Sequence, residues 1–225
     1  MMAQAAEQQQ ELGLGDIEVP VETLPKLQQL DLSADKGDAT AAMAALYEAI
    51  KDCTNCRLHE GRNKFVFGDG NPNAEVIFVG EGPGRDEDLQ GKPFVGRAGQ
   101  LLDKILAAIG FNRTQVYIGN IIKCRPPGNR DPQADEMAAC MPYLKKQIEL
   151  MNPAFICCLG RVAAQALLNT TTPLGKLRGR FHDLEGRKVL VTYHPAALLR
   201  FPQYKHDTWE DVKLLRYEYD KLFAK

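Results

Sequence analysis

Short apolar runs alternate with longer amphipathic segments along most of the chain. Segments with apolar residues at helical spacing predict helices at residues 41–51, 98–109, 132–151, 161–168 and 208–222. The apolar runs predict strands at residues 75–80, 116–120, 154–160 and 188–192. Strands separated by helices predict an α/β fold with a short, mostly parallel central sheet covered on both faces, a three-layer α/β/α sandwich.

A further short run, at residues 181–184, is followed by a Glu185-Gly186 turn. It predicts one antiparallel strand beside the last parallel strand. Sheets of this kind bind ligands at the carboxyl ends of their parallel strands. Residues that directly follow the strands are therefore the first candidates for a functional site.

The start of the chain differs in charge from the rest. Residues 1–40 carry eight acidic side chains and two lysines, a net charge of −6. Because the whole chain has a formal charge of −1, the remainder carries +5, a balance that favours a surface that meets phosphate. We expect an acidic, disordered tail at residues 1–39 and one folded domain at residues 40–225.

Composition and apolar runs place the chain among globular proteins. The hydrophobic and charged fractions are 44% and 25%. No apolar run approaches the roughly 20 residues that cross a bilayer. The Gln- and Glu-rich start lacks the basic and apolar regions of a secretory signal. We therefore expect a cytoplasmic protein, in which disulfides are disfavoured.

Four of the six cysteines have the spacing of a ligand set. Cys53 and Cys56 form a C-x-x-C pair, and Cys124 and Cys140 follow downstream with fifteen residues between them. Four thiolates can hold a zinc ion or an iron-sulfur cluster, and the spacing leaves both open. The alternative is that these are unconnected core cysteines, and the two cysteines in the run at residues 154–160 fit that alternative well.

The turn after the first predicted strand is rich in glycine and acidic residues. Residues 80–84 read Gly-Glu-Gly-Pro-Gly, which allows a ligand to approach backbone amides. The turn lacks the Gly-Lys-Ser/Thr of a P-loop, and Arg85 stands where a dinucleotide-binding loop has its last glycine. The turn instead presents two carboxylates, Glu81 and Glu87. Phe94, in the Gly-Pro loop that follows, is either a stacking platform for a planar ligand or a plug of the core.

Two polar side chains follow later strands. Asn120 ends the second predicted strand and carries a donor and an acceptor that could read a ligand edge, with capping or turn formation as the alternative. His194 follows the last strand and precedes a proline, which holds its backbone extended. Leu198 and Leu199, beyond this proline, are either core residues or a protruding wedge.

Together these segments resemble the uracil-DNA glycosylases, and within them the iron-sulfur class called family 4. The resemblance extends from about residue 42 to residue 222, and its motifs occur in the family's order. It implies the uracil-DNA glycosylase fold and a monofunctional enzyme that flips uracil out of DNA and hydrolyses its glycosidic bond. The product would be an abasic site for base excision repair. The matching segments are residues 80–84, 87–88, 91–96, 120–129 and 194–200.

The resemblance also implies a cofactor and catalytic roles. Cysteines 53, 56, 124 and 140 would hold a four-iron four-sulfur cluster. Phe94 would stack on the base, Asn120 would read O4 and N3 of uracil, and His194 would donate to O2 of the leaving base. Glu87 is the candidate for positioning water or stabilising the cationic sugar, because Gly82 stands where other glycosylases of this kind have an aspartate.

The remaining implied contacts concern the edge of the base and the DNA backbone. Gly80, Glu81 and Gly82 would line the base, with Glu81 excluding the methyl group of thymine. Leu198 would fill the space left by the flipped nucleotide. The basic residues expected to hold phosphates are Arg178, Arg180 and Arg200, with Lys176 nearby.

Two other functions are compatible with parts of this pattern. One is a relative that binds or cross-links uracil-containing DNA without turnover. Relatives of that kind carry a basic insertion with a nucleophilic histidine, and residues 125–132 contain neither. The other is a structural metal-binding module of replication machinery, which the complete set of pocket residues argues against. We expect a monomer that acts on single- or double-stranded uracil-containing DNA and contacts no membrane.

Overall fold

The computed structural model describes residues 39–223, and a six-stranded sheet forms the centre of this part of the chain. The strands are β1 (Asp69–Gly70), β2 (Val76–Gly80), β3 (Tyr117–Asn120), β4 (Phe155–Leu159), β5 (Phe181–Leu184) and β6 (Arg187–Thr192). Their order in the sheet is β1-β3-β2-β4-β6-β5. The four central strands are parallel, and the two edge strands pair antiparallel with their neighbours. The antiparallel strand predicted at residues 181–184 is therefore confirmed.

Helices follow or precede each central strand. Within residues 39–223 they are α1 (Thr40–Ile50), α2 (Arg85–Gln90), α3 (Arg97–Ala108), α4 (Ala134–Met151), α5 (Arg161–Leu168), α6 (Leu174–Leu177), α7 (Pro195–Arg200) and α8 (Tyr204–Phe223), with 3-10 turns at Arg57–His59 and Pro127–Asn129. None of the helices in this range has the length and apolarity to cross a membrane.

Helices cover both faces of the sheet. Val76 and Phe78 of β2 lie in one apolar cluster with residues of α3 and α8. Ile77 and Val79, the intervening residues, lie in a second cluster with residues of α1, α4 and α5. A parallel strand buried on both faces is apolar along its whole length, which explains why unbroken apolar runs mark these strands in the sequence. The predicted three-layer α/β/α architecture is confirmed.

The two cysteines of β4 are core residues, as their apolar surroundings predict. Cys157 and Cys158 are fully buried and belong to the clusters on opposite faces of the sheet. Burial raises the pKa of the Cys158 thiol to about 12 and shifts that of Cys157 in the same direction. Both thiols are therefore inert at neutral pH.

Local hydrogen bonds set the ends of the longest predicted helix. The periodic pattern begins at residue 132, but α4 begins at Ala134 because Gln133 caps it with an extended backbone. The Gln133 N–H donates to Oε2 of Glu136 at 2.8 Å, which closes a capping box. Asn152 ends the helix in the left-handed conformation.

The apolar pattern does not predict the shortest elements. The helices α2, α6 and α7 have six residues or fewer, and β1 has two, which is too short for a periodicity to show. Ala39, which we expected in the tail, is folded: it is 5% exposed, and its N–H donates to Oδ1 of Asn73 at 2.6 Å. The rest of the expected tail, residues 1–38, lies outside the described residues, as do residues 224–225.

The register of the parallel strands brings their carboxyl ends together. Gly80 of β2 is the partner of Asn120 of β3, and Leu159 of β4 is the partner of Thr192 of β6. The segments that follow β2, β3 and β6 therefore meet at one edge of the sheet. This edge contains the residues that the sequence marks as a candidate site.

The start of α3 contacts the preceding loop so closely that residue 99 has to be glycine. A β-carbon on Gly99 would lie 1.8 Å from the carbonyl oxygen of Phe94. We expect Gly99→Ala to lower the free energy of unfolding by about 1–3 kcal/mol, because backbone atoms must move to admit the methyl group. Gly175→Ala in α6 is the control, since a β-carbon there meets nothing within 4 Å. Urea unfolding measures both variants, and equal stabilities would contradict the contact.

Candidate functional site

Three strand ends and one loop form the candidate site. Gly80 ends β2, Asn120 ends β3, and His194 lies two residues after β6. Phe94 comes from the loop between α2 and α3. A β-carbon on Gly80 would lie 2.5 Å from Oδ1 of Asn120 and 2.6 Å from the ring of Phe94. Only glycine at residue 80 lets this amide and this ring occupy the same edge of the sheet.

Asn120 carries an unpartnered acceptor inside this site. The residue is 2% exposed, and its Oδ1 is buried without a hydrogen-bond partner in the described chain. A buried carbonyl oxygen that lacks a donor costs about 1–3 kcal/mol, so such groups mark sites where a ligand supplies the donor. The arrangement calls for a ligand with an N–H or O–H beside Gly80.

Phe94 is held in an unusual backbone conformation. Its φ of 52° lies in the left-handed region, which is costly for an aromatic residue. Arg113 stabilises the conformation by donating from Nη2 to the Phe94 carbonyl and from Nη1 to the Pro93 carbonyl, the latter at 3.1 Å. The ring is 5% exposed, and its centroid lies 5.4 Å from that of His194 at an interplanar angle of 32°. The ring thus forms one wall of the site.

Local hydrogen bonding sets the tautomer of His194. The residue is the N-cap of α7, and its Nδ1 accepts from the Ala196 N–H at 3.1 Å. In a neutral imidazole the other nitrogen, Nε2, then carries the proton. Burial, with a smaller contribution from the charge of Arg200, lowers the pKa of His194 to about 4. At neutral pH the ring is therefore an uncharged donor through Nε2.

Glu87 ties two loops of the site together. Its Oε2 accepts from the Gly84 N–H at 3.1 Å, and its Oε1 accepts from the N–H groups of Val95 and Gly96, both at 2.9 Å. The carboxylate thereby fixes the glycine-rich turn against the loop that carries Phe94. Its predicted action on water or on the sugar stays a prediction.

Glu81 directly follows Gly80 in the glycine-rich turn and is half-buried. Burial is the main cause that raises its pKa to about 7, and the charge of Asp131 adds to this, while Arg161 and Arg200 oppose it. Gly82, the next residue, lies against Ile122, where a β-carbon would come within 2.6 Å of the side chain. The turn is therefore in contact with the segment that follows β3. The expected role of Glu81 in excluding a methyl group stays a prediction.

The structure contradicts the role expected of Leu198. Leu198 is 2% exposed and packs inside the protein, so it cannot enter a DNA duplex in this conformation. The next residue, Leu199, is 41% exposed, and Phe201 is 48% exposed. The assignment of Leu198 follows from the resemblance alone, because α7 is too short for the residue pattern to reveal which of its faces is buried.

Arg178 is bound by carboxylates within the protein, and its expected phosphate contact stays a prediction. Its Nε and Nη2 donate to the two carboxylate oxygens of Asp211, each at 3.0 Å, and Nη2 also donates to the Asp207 carbonyl at 2.6 Å. Asp211 is 1% exposed and needs this partner. Arg180 and Arg200, the other two predicted arginines, are exposed.

The four cysteines of the predicted ligand set lie in one region with their sulfurs facing donors. Cys53 and Cys56 follow α1, Cys124 follows β3, and Cys140 is in α4. None of them forms a disulfide. Cys53 Sγ accepts a hydrogen bond from the Asn55 N–H at 3.5 Å and another from the Tyr143 hydroxyl at 3.2 Å. Cys124 Sγ accepts from Arg62 Nη1 at 3.4 Å, and Cys140 Sγ accepts from the Lys123 N–H at 3.3 Å. Donors of this kind stabilise negatively charged sulfur.

The thiols also affect one another electrostatically. Burial is the main cause that raises the pKa of Cys56, that of Cys124 to about 11 and that of Cys140 to about 12. Neighbouring thiols of the set, including Cys53, contribute to each increase. A metal that binds here must therefore displace protons from these sulfurs.

The chemistry of these four thiols fits a metal centre with thiolate ligands. In residues 39–223, no group of three or more His, Cys, Asp or Glu side chains is placed to hold a single metal ion. Thiolate sulfur is a ligand both for zinc and for the irons of an iron-sulfur cluster.

Sequence patterns missed the residues whose hydrogen bonds hold the loop and the strand end of the site in place. Arg113 holds the Phe94 loop, and Lys123 and Gln147 are fully buried beside Asn120. Lysine and arginine are almost always exposed, and these contacts join segments about 20 residues apart. No local signal could have identified them.

Comparisons with known proteins agree with this geometry. The model of a family described as the uracil DNA glycosylase superfamily matches residues 67–213, which include every strand end of the site. The chain is 48% identical to the type-4 uracil-DNA glycosylase of Archaeoglobus fulgidus over 73% of this chain and 86% of that protein. The type-4 uracil-DNA glycosylase of Saccharolobus solfataricus is 43% identical over 75% and 82%. That of Thermotoga maritima is 47% identical over 70% and 83%.

The lowered pKa of His194 predicts a pH dependence. Since its folded pKa of about 4 lies below the ordinary 6.5, the unfolded chain binds more protons between these values, and stability should fall as pH falls through that window. Nuclear magnetic resonance of ring-labelled histidine should show a midpoint near pH 4, and Arg200→Gln should raise it. The His194→Gln variant should lose less stability than the parent across the window. A midpoint near 6.5 would contradict the lowered pKa of this ring.

Proposed function

Because the chain belongs to the uracil DNA glycosylase superfamily, we propose that it excises uracil from DNA by hydrolysing the N-glycosidic bond. The product is an abasic site, which base excision repair then processes. The observation that carries the proposal is the buried, unpartnered Oδ1 of Asn120 beside the ring of Phe94. A flipped uracil supplies both the missing donor and a flat face for the ring.

Asn120 selects uracil by the polarity of its edge. The N3–H of uracil donates to Oδ1, and O4 of uracil accepts from Nδ2. Cytosine has an acceptor at N3 and an amino group at position 4, so both pairings become repulsive. A site built to hydrogen-bond one edge rejects the reversed edge strongly, because its buried polar groups are then left unpaired. Glu81 lies next to Gly80 in the turn and excludes thymine at the C5 edge.

His194 stabilises the departing base. Cleavage leaves negative charge on uracil, and the Nε2–H of His194 donates to O2 of that anion. A ring with a pKa of about 4 is uncharged at neutral pH, so it acts as a fixed hydrogen-bond donor. Removing one donor of this type from an anion-stabilising site typically reduces the rate about 10²- to 10³-fold.

Glu87 balances the positive charge that develops on the sugar. Its oxygens already accept three backbone N–H bonds. A carboxylate stabilises a nearby cation through its field and needs no free lone pair for this. Electrostatic stabilisation of the oxocarbenium-like sugar is therefore the role that Glu87 performs without changing conformation, and positioning of the water is the alternative role.

The cysteines hold a four-iron four-sulfur cluster in this proposal. Its ligands are Cys53, Cys56, Cys124 and Cys140, whose thiols and surrounding donors suit such a core. The cluster would supply covalent bonds that join three segments distant in the chain, and it would take no part in glycosidic cleavage. Cys124 lies four residues beyond Asn120, so this cross-link stabilises the segment that reads the base.

The DNA contacts follow from exposure and charge. Leu199 is the exposed leucine beside the site and replaces Leu198 as the residue that enters the duplex. Arg180 and Arg200 are exposed and reach phosphates. The enzyme acts as a monomer on uracil-containing DNA in the cytoplasm.

Incubation with a labelled oligonucleotide that contains one uracil, followed by alkaline cleavage, tests the function. We expect a cut at the uracil position and none in the matched oligonucleotide with thymine. Asn120→Asp should lower uracil release at least 100-fold and admit cytosine, because an aspartic acid can donate to cytosine N3. Asn169→Asp, at the exposed end of α5, should release uracil at the parent rate. No cut by the parent protein would refute the function, and full activity of Asn120→Asp would refute the role of that residue.

Metal analysis tests the cluster. Protein purified without oxygen should be brown and contain about four irons per chain and no stoichiometric zinc. Cys140→Ser should lose most of the iron because it removes one ligand. Cys158→Ser changes an equally buried cysteine in the core strand β4 and should keep the iron. A colourless zinc protein, or iron loss in both variants, would contradict the ligand set.

A further inference from the structure

A buried lysine connects the cysteine region to the base-reading residue. Lys123 is 0% exposed, and its backbone N–H donates to Sγ of Cys140 at 3.3 Å. Its side chain turns back along the chain, where Nζ donates to the carbonyl oxygen of Asn120 at 3.0 Å. One residue therefore contacts both a ligand sulfur and the backbone of Asn120.

Gln147 completes the connection from α4. Its Oε1 accepts from Lys123 Nζ at 2.6 Å, and its Nε2 donates to the hydroxyl of Tyr117 at 3.2 Å and to the carbonyl of Phe67 at 3.1 Å. Gln147 is also fully buried. A buried polar network of this kind is maintained only when each member has its partners, so it has one geometry.

We propose that Lys123, fixed by Gln147, is the positioning residue that transmits the geometry of the cysteine centre to Asn120. The inference rests on the proposed function for the role of Asn120 and on the four cysteines as ligands. Burial of a lysine without a carboxylate partner is costly, and hydrogen bonds to two oxygens offset that cost only in this one position. The network therefore restrains the Asn120 carbonyl, and with it the direction of the Asn120 side chain.

The segment that the network restrains is also tied to the glycine-rich turn. The N–H groups of Ile121 and Ile122 donate to the carbonyls of Gly80 and Glu81 at 2.9 and 3.1 Å. If the Asn120 carbonyl loses its restraint, these two bonds open more often. Their opening is measurable by hydrogen exchange in the absence of any substrate.

The test compares Lys123→Met with Arg62→Met in the intact cluster-containing protein. Methionine preserves much of the length of Lys123 but donates no hydrogen bond from its side chain. Arg62 also contacts a ligand sulfur, Cys124 Sγ at 3.4 Å, but within residues 39–223 its hydrogen bonds go to Cys53, Cys124 and Lys51 and not to Asn120. We expect Lys123→Met to raise amide exchange at least tenfold in a peptide covering residues 117–123, and Arg62→Met to leave it within twofold of the parent.

A second readout follows the ligand site. Fluorine-19 nuclear magnetic resonance measures the binding of 5-fluorouracil. We expect this binding to weaken at least tenfold in Lys123→Met, while the iron content of the variant stays equal to that of the parent. A merely structural role would lower iron content and stability without this selective loss. Equal exchange in Lys123→Met and Arg62→Met, or exchange in Lys123→Met equal to that of the parent, would overturn the inference.

Gln147→Met keeps the inference testable if either variant loses iron, because in the described part of the chain Gln147 forms hydrogen bonds to Lys123, Phe67 and Tyr117 and to no ligand sulfur. We expect it to raise exchange in the same peptide at least threefold, with Gln165→Met, on α5, as the unaffected control. Parent-like exchange in Gln147→Met would overturn the inference. If the parent protein itself fails to bind 5-fluorouracil, the proposed base pocket fails, while the exchange contrast still decides the role of Lys123.

Discussion

The pairing of Gly80 with Asn120 across two parallel strands is the constraint on which the site depends. It places a residue without a side chain opposite a residue with an amide, at the point where both strands end. The space that a β-carbon would take is shared by Oδ1 of Asn120 and the ring of Phe94. A larger residue at position 80 would displace the amide, the ring or both, and the unpartnered acceptor would no longer face a base.

The loops around this pair are fixed before any ligand arrives. Glu87 accepts three backbone N–H bonds from two loops, and Arg113 holds the carbonyl next to the strained backbone of Phe94. Ala196 sets the tautomer of His194. Since these groups need little rearrangement, the energy of base binding can be used for flipping the nucleotide and for stabilising charge in the transition state.

Features that depend on local pattern could be predicted from the sequence, and features that depend on distant partners could not. The central strands and longer helices were predicted to within a few residues at each end, because a sheet covered on both faces requires unbroken apolar runs. Asn120 and His194 could be predicted as candidates because they lie at or just beyond the carboxyl ends of strands. The ion pair between Arg178 and Asp211 could not be predicted, because the two residues are 33 positions apart in the chain and only the fold brings them together. The residue pattern leaves Leu198 as either core or wedge, because a helix of six residues does not reveal its buried face, and only the resemblance assigns Leu198 to the DNA.

The central claim is that Asn120 Oδ1 accepts from N3–H of uracil, and two methylated bases of equal size test it most directly. In 1-methyluracil the methyl group occupies the position of the sugar and leaves N3–H free. In 3-methyluracil the methyl group replaces the hydrogen that Asn120 needs. Saturation-transfer difference nuclear magnetic resonance with the parent protein should show binding of 1-methyluracil and at least tenfold weaker binding of 3-methyluracil. Equal binding of the two bases would contradict the account.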